Sequence, residues 1–594
     1  MKHTTSLACA VACAISFARP LHAEETVTRE PDVFAPLVVS ALKTPRDPES
    51  VTSAVTVLDP RTAEERGVYQ LQDALNLSPG VISTSIAGQT GSVGSLFIRG
   101  TTTGYSQLVV DGVRLSDSTT PLGNMLAAGR TWDLGRIEIL RGPQGALYGG
   151  ESVGGVLWLE TPRGSGRPGG SATFEGGSFG TLSGFAKSHG EKDGFSWFVA
   201  GGFEDTNNDG SDLSFHQGSL ALRAEGAASE DWTVGTTLRA VDGFYENGGL
   251  SDDHFDSSLA TVYANGRVSD VWTARFLLGY QQEFYDSDSS FGNFGTDLRT
   301  GSFTTDHEIK LADNLKLLAG AYVQESSFEN TIGTDERRTR HGLSTALEHE
   351  IVPDLTATAA LRWEDYEEYG DEWTWRTGVV RHFRKTGTSL RGGIGSSFRA
   401  PSYLDLFGSS FGAGNPNLDA ESSVGWDVGI AQEFLENHAF ELTWFHNDVD
   451  DRIQSFPAPP VNVSGTTETN GLEAGVRGEW ENPAVRYQIA WTWLHESFSD
   501  QPRNAITGVL DWRPVDKALV GIGATHLASR SWGGTPVDAY TVARLFGSYE
   551  LTDRVKLHAR VENLLGENYE ISNFFGSIQQ GAGTGVYGGI TVDW

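Results

Sequence analysis

Oxygen-bearing side chains recur at alternate positions in Asp205-Thr206-Asn207-Asn208-Asp209-Gly210. Hard oxygen ligands spaced this way, with glycine for the turn, suit Ca²⁺. His216 stands where a calcium loop of the EF-hand kind would carry its last glutamate, so Asp212, Asp252, Asp253 and Asp256 would have to complete the shell. A solvated acidic loop without metal is the competing reading. Other chemistry-bearing patterns lead nowhere. Ser152, Ser178 and Ser410 each sit in Gly-x-Ser-x-Gly, but none joins a hydrophobic strand to a helix with an Asp and a His to follow. Gly583-x-Gly585-x-x-Gly588 imitates a dinucleotide fingerprint yet opens a terminal strand rather than a helix. In a chain with 72 glycines such matches arise by chance. No His/Cys/Asp cluster has catalytic zinc spacing. The chain reads as a binding or transport protein, not an enzyme.

The elements that would position these residues are read from composition and periodicity. The 594 residues include 30 Phe, 16 Trp and 16 Tyr but only two Met and two Cys. A formal net charge of −33 leaves no basic face to displace phosphate counterions, which excludes nucleic acid as a partner. With 38 % hydrophobic residues and a mean hydropathy of −0.28, a helical membrane protein is excluded as well. Residues 1–23 read as a secretory signal: Lys2 and His3, the apolar run Leu7–Ala18, then Leu21-His22-Ala23 before an acidic segment. Both cysteines, Cys9 and Cys13, leave with it, so no thiol chemistry is expected of the exported chain.

From residue 168 to 594 the sequence reads as alternating strands. Trp272, Ala274, Phe276, Leu278 and Tyr280 are separated by Thr273, Arg275 and Gly279, and Val555, Leu557, Ala559 and Val561 alternate with Lys556, His558 and Arg560. Tight-turn pairs recur from Lys192-Asp193 to Thr552-Asp553 at intervals of roughly 33–50 residues, enough for two spanning strands of about 10 residues and one long loop. Ten such turns imply about 22 antiparallel strands in a closed transmembrane barrel. A soluble sandwich or a propeller would explain neither the spacing nor the apolar faces. Residues 49–167 differ. Asp59-Pro60 starts a helix that Gly67 can close, Leu71, Ala74, Leu75 and Leu77 mark a second helical face, and three apolar runs read as strands. This α/β domain is the expected plug of a barrel too wide to fill itself.

Leu96-Phe97-Ile98-Arg99-Gly100, Leu108-Val109-Val110-Asp111-Gly112-Val113-Arg114-Leu115 and the run Arg136 to Gly149 resemble the plug of TonB-dependent outer-membrane receptors. Phe398-Arg399-Ala400-Pro401-Ser402, Gly414-Asn415-Pro416-Asn417-Leu418 and Val561-Glu562-Asn563-Leu564-Leu565 resemble the barrel of the same family, and the final Trp594 matches its C-terminal aromatic. The resemblance covers nearly the whole chain after the signal and is closest to the vitamin B12 transporters. It implies residence in the bacterial outer membrane, as a monomer set in its lipid. It also implies a periplasmic leader over 24–48 that offers Leu37, Val38, Val39, Ser40 and Ala41 as a TonB box to the TonB C-terminal domain. A β-prone segment in a Pro-rich leader can pair with a partner's sheet edge; a buried plug strand is the alternative.

The resemblance further implies that Arg99 and Arg141 pair with barrel glutamates, with Glu421 and Glu473 as the candidates. Guanidinium forks suit carboxylates. Ligand would sit on the plug apex, at Gln89, Thr90 and Ser92 and at Ser116, Asp117 and Thr119. These loops are polar and free of basic residues, which suits a neutral corrinoid such as cobalamin better than an anionic ferric siderophore. The siderophore remains the first alternative. A non-energised surface-binding or adhesion barrel, or a receptor exploited by phages and toxins, is the rival class.

Overall fold

The computed structural model describes residues 38–594 except 39, 116–118, 211, 291, 368–369, 410–411, 456–457, 499–500, 533 and 575–576. The expected signal over 1–23, and Leu37, Val39, Ser116 and Asp117, lie outside the described residues.

Twenty-two antiparallel strands close into one barrel, the last, Gly585–Asp593, pairing with the first, Gly169–Gly177. All ten tight turns join neighbouring strands at one end: Asp193 and Gly194 link Leu182–Lys192 to Phe195–Thr206, and Asp553 and Arg554 link Tyr540–Thr552 to Val555–Glu562. At the other end the connections are uneven. Some are long, such as 400–420 and 563–584, but others, such as 248–250 and 331–334, are short because the strands themselves extend outward, which departs from the expected run of long loops. Alternation sets the two faces. Phe276, Leu278 and Tyr280 point outward, where they meet lipid, while Leu277 between them is buried inside. Trp373, Val428 and Trp444 are likewise more than half exposed on the outer face. No helix among the described residues is long and apolar enough to cross a membrane; the strands do so.

The lumen holds the α/β domain. Its main sheet runs, in spatial order, Ala54–Leu58, Arg136–Arg141, Gly155–Glu160, Ser106–Val110, Val113–Arg114, with Ser106–Val110 and Gly155–Glu160 parallel. A hairpin, Val81–Ser85 with Gly94–Ile98, stands beside it. Asp59 caps the helix Pro60–Glu65 by accepting from the Arg61 amide at 3.2 Å. Leu71, Ala74 and Leu75 bury one face of the helix Leu71–Leu75. Barrel residues Leu259, Tyr263 and Leu277 join the same apolar core, so wall and plug share a hydrophobic centre. One element differs from expectation: Thr119 opens a helix, Thr119–Ala128, rather than lying in an apex loop. Pro121 fits a first helical turn, but Gly123 and Asn124 are weak helix formers and hide it in the sequence.

Candidate functional site

Two strands of the plug end in arginines that reach the wall. Arg99 follows the strand Gly94–Ile98 in a left-handed conformation, φ 51°, which turns its side chain out of the hairpin. Its Nη2 donates to Glu473 Oε1 at 2.7 Å, its Nε to Glu473 Oε2 at 3.2 Å and its Nη1 to Asp427 Oδ2 at 3.1 Å. Arg141, closing the strand Arg136–Arg141, places Nη1 3.4 Å from Glu473 Oε1 and Nη2 3.6 Å from Glu441. Burial opposes the charge on Arg99, but Glu473 and Asp427 outweigh it and hold its pKa above the ordinary value. Gly80 makes room for this cluster: its φ is +76°, and a Cβ there would fall 2.0 Å from Glu473 Oε2.

Glu473 therefore answers both plug arginines, whereas Glu421 answers other groups. It pairs with Arg399 of the wall at 2.7 Å and accepts from the plug's Tyr105 hydroxyl at 2.7 Å. Arg399 shares that strand edge and Arg99 does not, so Glu421 is spent before a plug guanidinium can reach it. Sequence reading missed Asp427 and Glu441, and it missed further cations that reach the wall. Arg114 of the plug pairs with Glu364 at 2.7 Å and Arg66 with Asp511 at 2.9 Å, and Arg46 of the leader pairs with Glu348 at 2.6 Å and Glu308 at 2.9 Å. The signal for the acids was present as carboxylates among alternating strand residues, but their lumenal facing depends on barrel register.

The leader is folded against this same side. Ser40 donates from its amide (2.8 Å) and hydroxyl (2.5 Å) to Glu138, and its carbonyl accepts from Tyr148 at 2.6 Å. Val38 bridges to Arg46, and Val38, Ser40 and Ala41 are buried.

At the apex, the connection between the plug hairpin strands is roofed by the barrel's own loops. Gln89 donates to the Gln580 carbonyl at 3.0 Å and accepts from the Asp209 amide at 3.1 Å. Asn208 donates to the Thr90 carbonyl at 3.0 Å, and Thr90 Oγ1 accepts from Gln70 at 3.0 Å. Ser92 bonds back to Gln89 at 3.2 Å, and Ser572 donates to the Ile86 carbonyl at 2.6 Å. Gln89 and Ser92 are thus buried beneath the connection 563–584, and a ligand reaching them must displace it.

The expected calcium residues scatter. Asp205 points outward and lies 2.7 Å from His216 Nδ1. Asp209, exposed, accepts from the Gly583 amide at 2.7 Å and so is tied to the roof. Asp253 is buried on the lumenal face, where Ser287 donates to it at 2.6 Å, while Asp252 and Asp256 alternate onto the outer face. Asn207 and Asp212 sit exposed at the tip of their connection. These seven residues do not converge on one ion as arranged. Asp256 instead groups with Asp242 and His254, ligand atoms within 4.8 Å of one another, and an imidazole is not a hard-oxygen donor.

Comparisons with known proteins give the same architecture. The family model "TonB-dependent Receptor Plug Domain" matches residues 47–156, and "TonB dependent receptor-like, beta-barrel" matches 157–564. Among curated relatives, the vitamin B12 transporter BtuB of Vibrio vulnificus (strain YJ016) is 24 % identical over 96 % of each chain. That of Photobacterium profundum is 24 % identical over 90 % of this chain and 92 % of its own. Among solved structures, the siderophore receptor PirA of Acinetobacter baumannii superposes with a TM-score of 0.78 at 17 % identity, covering 91 % of this chain and 98 % of PirA. The ferric enterobactin receptor PfeA of Pseudomonas aeruginosa gives 0.79 at 16 %, covering 91 % and 100 %.

Proposed function

The chain belongs to the TonB-dependent receptor family of the bacterial outer membrane, and on that premise we propose that its ligand is cobalamin or a related corrinoid. The observation that carries this reading is end-to-end likeness to vitamin B12 transporters, over 96 % of both chains. The chemistry of the apex supports it. Gln89, Thr90 and Ser92 offer amide and hydroxyl groups with no cation among them, which suits hydrogen bonding to a neutral amide-rich ligand.

Import then proceeds in three parts. Ligand displaces the roof of 563–584 and takes over hydrogen bonds that Gln89 now makes to Gln580. TonB draws on the leader, which must leave Glu138 and Tyr148 before it can add a strand to a partner's sheet. The plug shifts against the wall, and ion pairs rather than apolar packing set which contacts yield.

The test is binding of purified protein to cyanocobalamin, with and without Ca²⁺. Saturable binding is expected. No binding at micromolar ligand, with binding of a ferric siderophore in its place, would transfer the chain to the siderophore class. Affinity unchanged by Ca²⁺ would remove any role for the metal at Asp205, Asn207, Asp209, Asp212, Asp252, Asp253 and Asp256.

A further inference from the structure

The plug does not fill the lumen evenly. Against the wall that carries Asp427 and Glu473, the void beside Arg99 and Thr469 is about 10 Å³, and one beside Arg114 and Asp306, further round the wall, is about 30 Å³. Further round the wall, along the helix Leu71–Leu75, a cavity of about 350 Å³ descends from Gln89 and Thr90 beneath the roof to Gly67. A second cavity of about 200 Å³ continues from there to the end that bears the tight turns. The two share Gly67, Tyr69, Phe185 and Arg560, so a single partition separates them.

Tyr69 is the plug's contribution to that partition. Its ring meets Phe185 edge-on at 5.8 Å and His558 at 6.4 Å, and the Arg560 guanidinium lies 5.9 Å from its centre. The backbone carrying it is fixed: the Thr131 amide donates to the Tyr69 carbonyl at 2.9 Å, the Val68 amide to the Ala63 carbonyl at 2.8 Å and Arg544 to the Gly67 carbonyl at 3.0 Å, so the ring is what can swing.

The charges at the partition itself are paired within the wall. Arg560 pairs with Glu175 at 2.6 Å and Glu562 at 3.1 Å, and Arg544 with Glu562 at 2.9 Å, all within the wall. Moving the plug away leaves those charges compensated. At Glu473 both counterions belong to the plug, and separation would strand a buried carboxylate. Away from the partition, Arg66–Asp511, Arg130–Glu204, Glu64–Lys187 and Glu65 with Arg486 and Arg513 do cross from plug to wall on the hollow side.

We propose that the imported solute passes along the helix Leu71–Leu75, through the two cavities, and that Tyr69 is the residue that closes the route. The amides, hydroxyls and neutralised ion pairs along the upper cavity fit a polar solute without net charge. This rests on the transport reading, but its test needs neither the ligand nor TonB.

Full-length Tyr69→Ala, reconstituted in liposomes, should admit a neutral disaccharide several-fold faster than wild type in a swelling assay, and Tyr69→Phe should not. Phe185→Ala, on the wall side of the same partition, should leak likewise, which covers the case in which Tyr69→Ala fails to fold. In a leaking variant that also carries Thr525→Cys, a bulky maleimide at that wall position should close the leak; both native cysteines precede residue 24, so labelling is confined to it. Wild-type permeability in folded Tyr69→Ala and Phe185→Ala would overturn the proposal. So would a leak that survives labelling, or an equal leak from Tyr105→Ala on the opposite face. Loss of cyanocobalamin binding alone would overturn the corrinoid reading and leave the route standing.

Discussion

The two faces of the plug differ in how their buried charges are paired. On one face the plug supplies the guanidinium groups and the wall supplies the carboxylates, as at Arg99 with Glu473 and Asp427. On the other, Arg560 and Arg544 of the wall are answered by wall glutamates around an aromatic partition and a short helix beside open space, while Arg66–Asp511 and Glu65–Arg486 still cross the interface. Charge pairing that crosses an interface ties the parts together; pairing kept within one part lets them separate. A domain that must stay anchored and yet move can be built from both.

The comparison breaks most severely at Glu473. Glu473→Ala leaves Arg99 and Arg141 without their shared counterion, and the loss of a buried partner costs about 3–5 kcal/mol. Calorimetry in detergent should show the plug transition falling well below that of the barrel. A shift no larger than that of an exposed substitution would show that the locked face is not held by charge.

Gly80→Ala should cost about 1–3 kcal/mol, because a left-handed φ is imposed on a residue whose Cβ would meet Glu473. The same readout applies, and the effect should shrink in a Glu473→Ala background, where the clash is gone.

Arg560→Gln on the hollow face should perturb barrel stability modestly and leave the plug transition in place, since Glu175 and Glu562 are wall residues. A plug transition lowered as far as by Glu473→Ala would erase the distinction between the faces.

The smallest effect is expected at Asp73, whose carboxyl lines the larger cavity and is exposed within it. Desolvation inside the lumen, with Glu562 next in effect, raises its pKa to about 6. Because the folded state holds this proton more tightly than the unfolded chain, stability from this group falls as pH rises from about 4 to about 6 and stays lower above that. Asp73→Asn should therefore raise the plug transition slightly at neutral pH and leave it unchanged in acid. Equal effects at both pH values would show that the carboxyl is not held protonated by its site.

Much of this architecture is legible in the sequence because it is local. The turn pairs, the capped start at Asp59-Pro60 and the buried face of Leu71, Ala74 and Leu75 each depend on neighbours a few residues away. Glu473 was legible as a partner for Arg99 and Arg141 through family resemblance alone. Asp427 and Glu441 were not, because which strand residues face inward opposite one arginine is fixed by the register of the closed barrel. The roof over Gln89 joins it to Gln580, and no local signal carries such a contact. The hollow face was equally hidden, since a cavity is defined by residues that do not meet.

Energised import is tested most directly by uptake of cyanocobalamin in cells that display either the native chain or Val39→Pro, each with and without functional TonB. Uptake by the native chain should depend on TonB, and Val39→Pro should abolish it while surface binding persists. Uptake that survives Val39→Pro or the loss of TonB would contradict energised transport and leave a passive binding barrel.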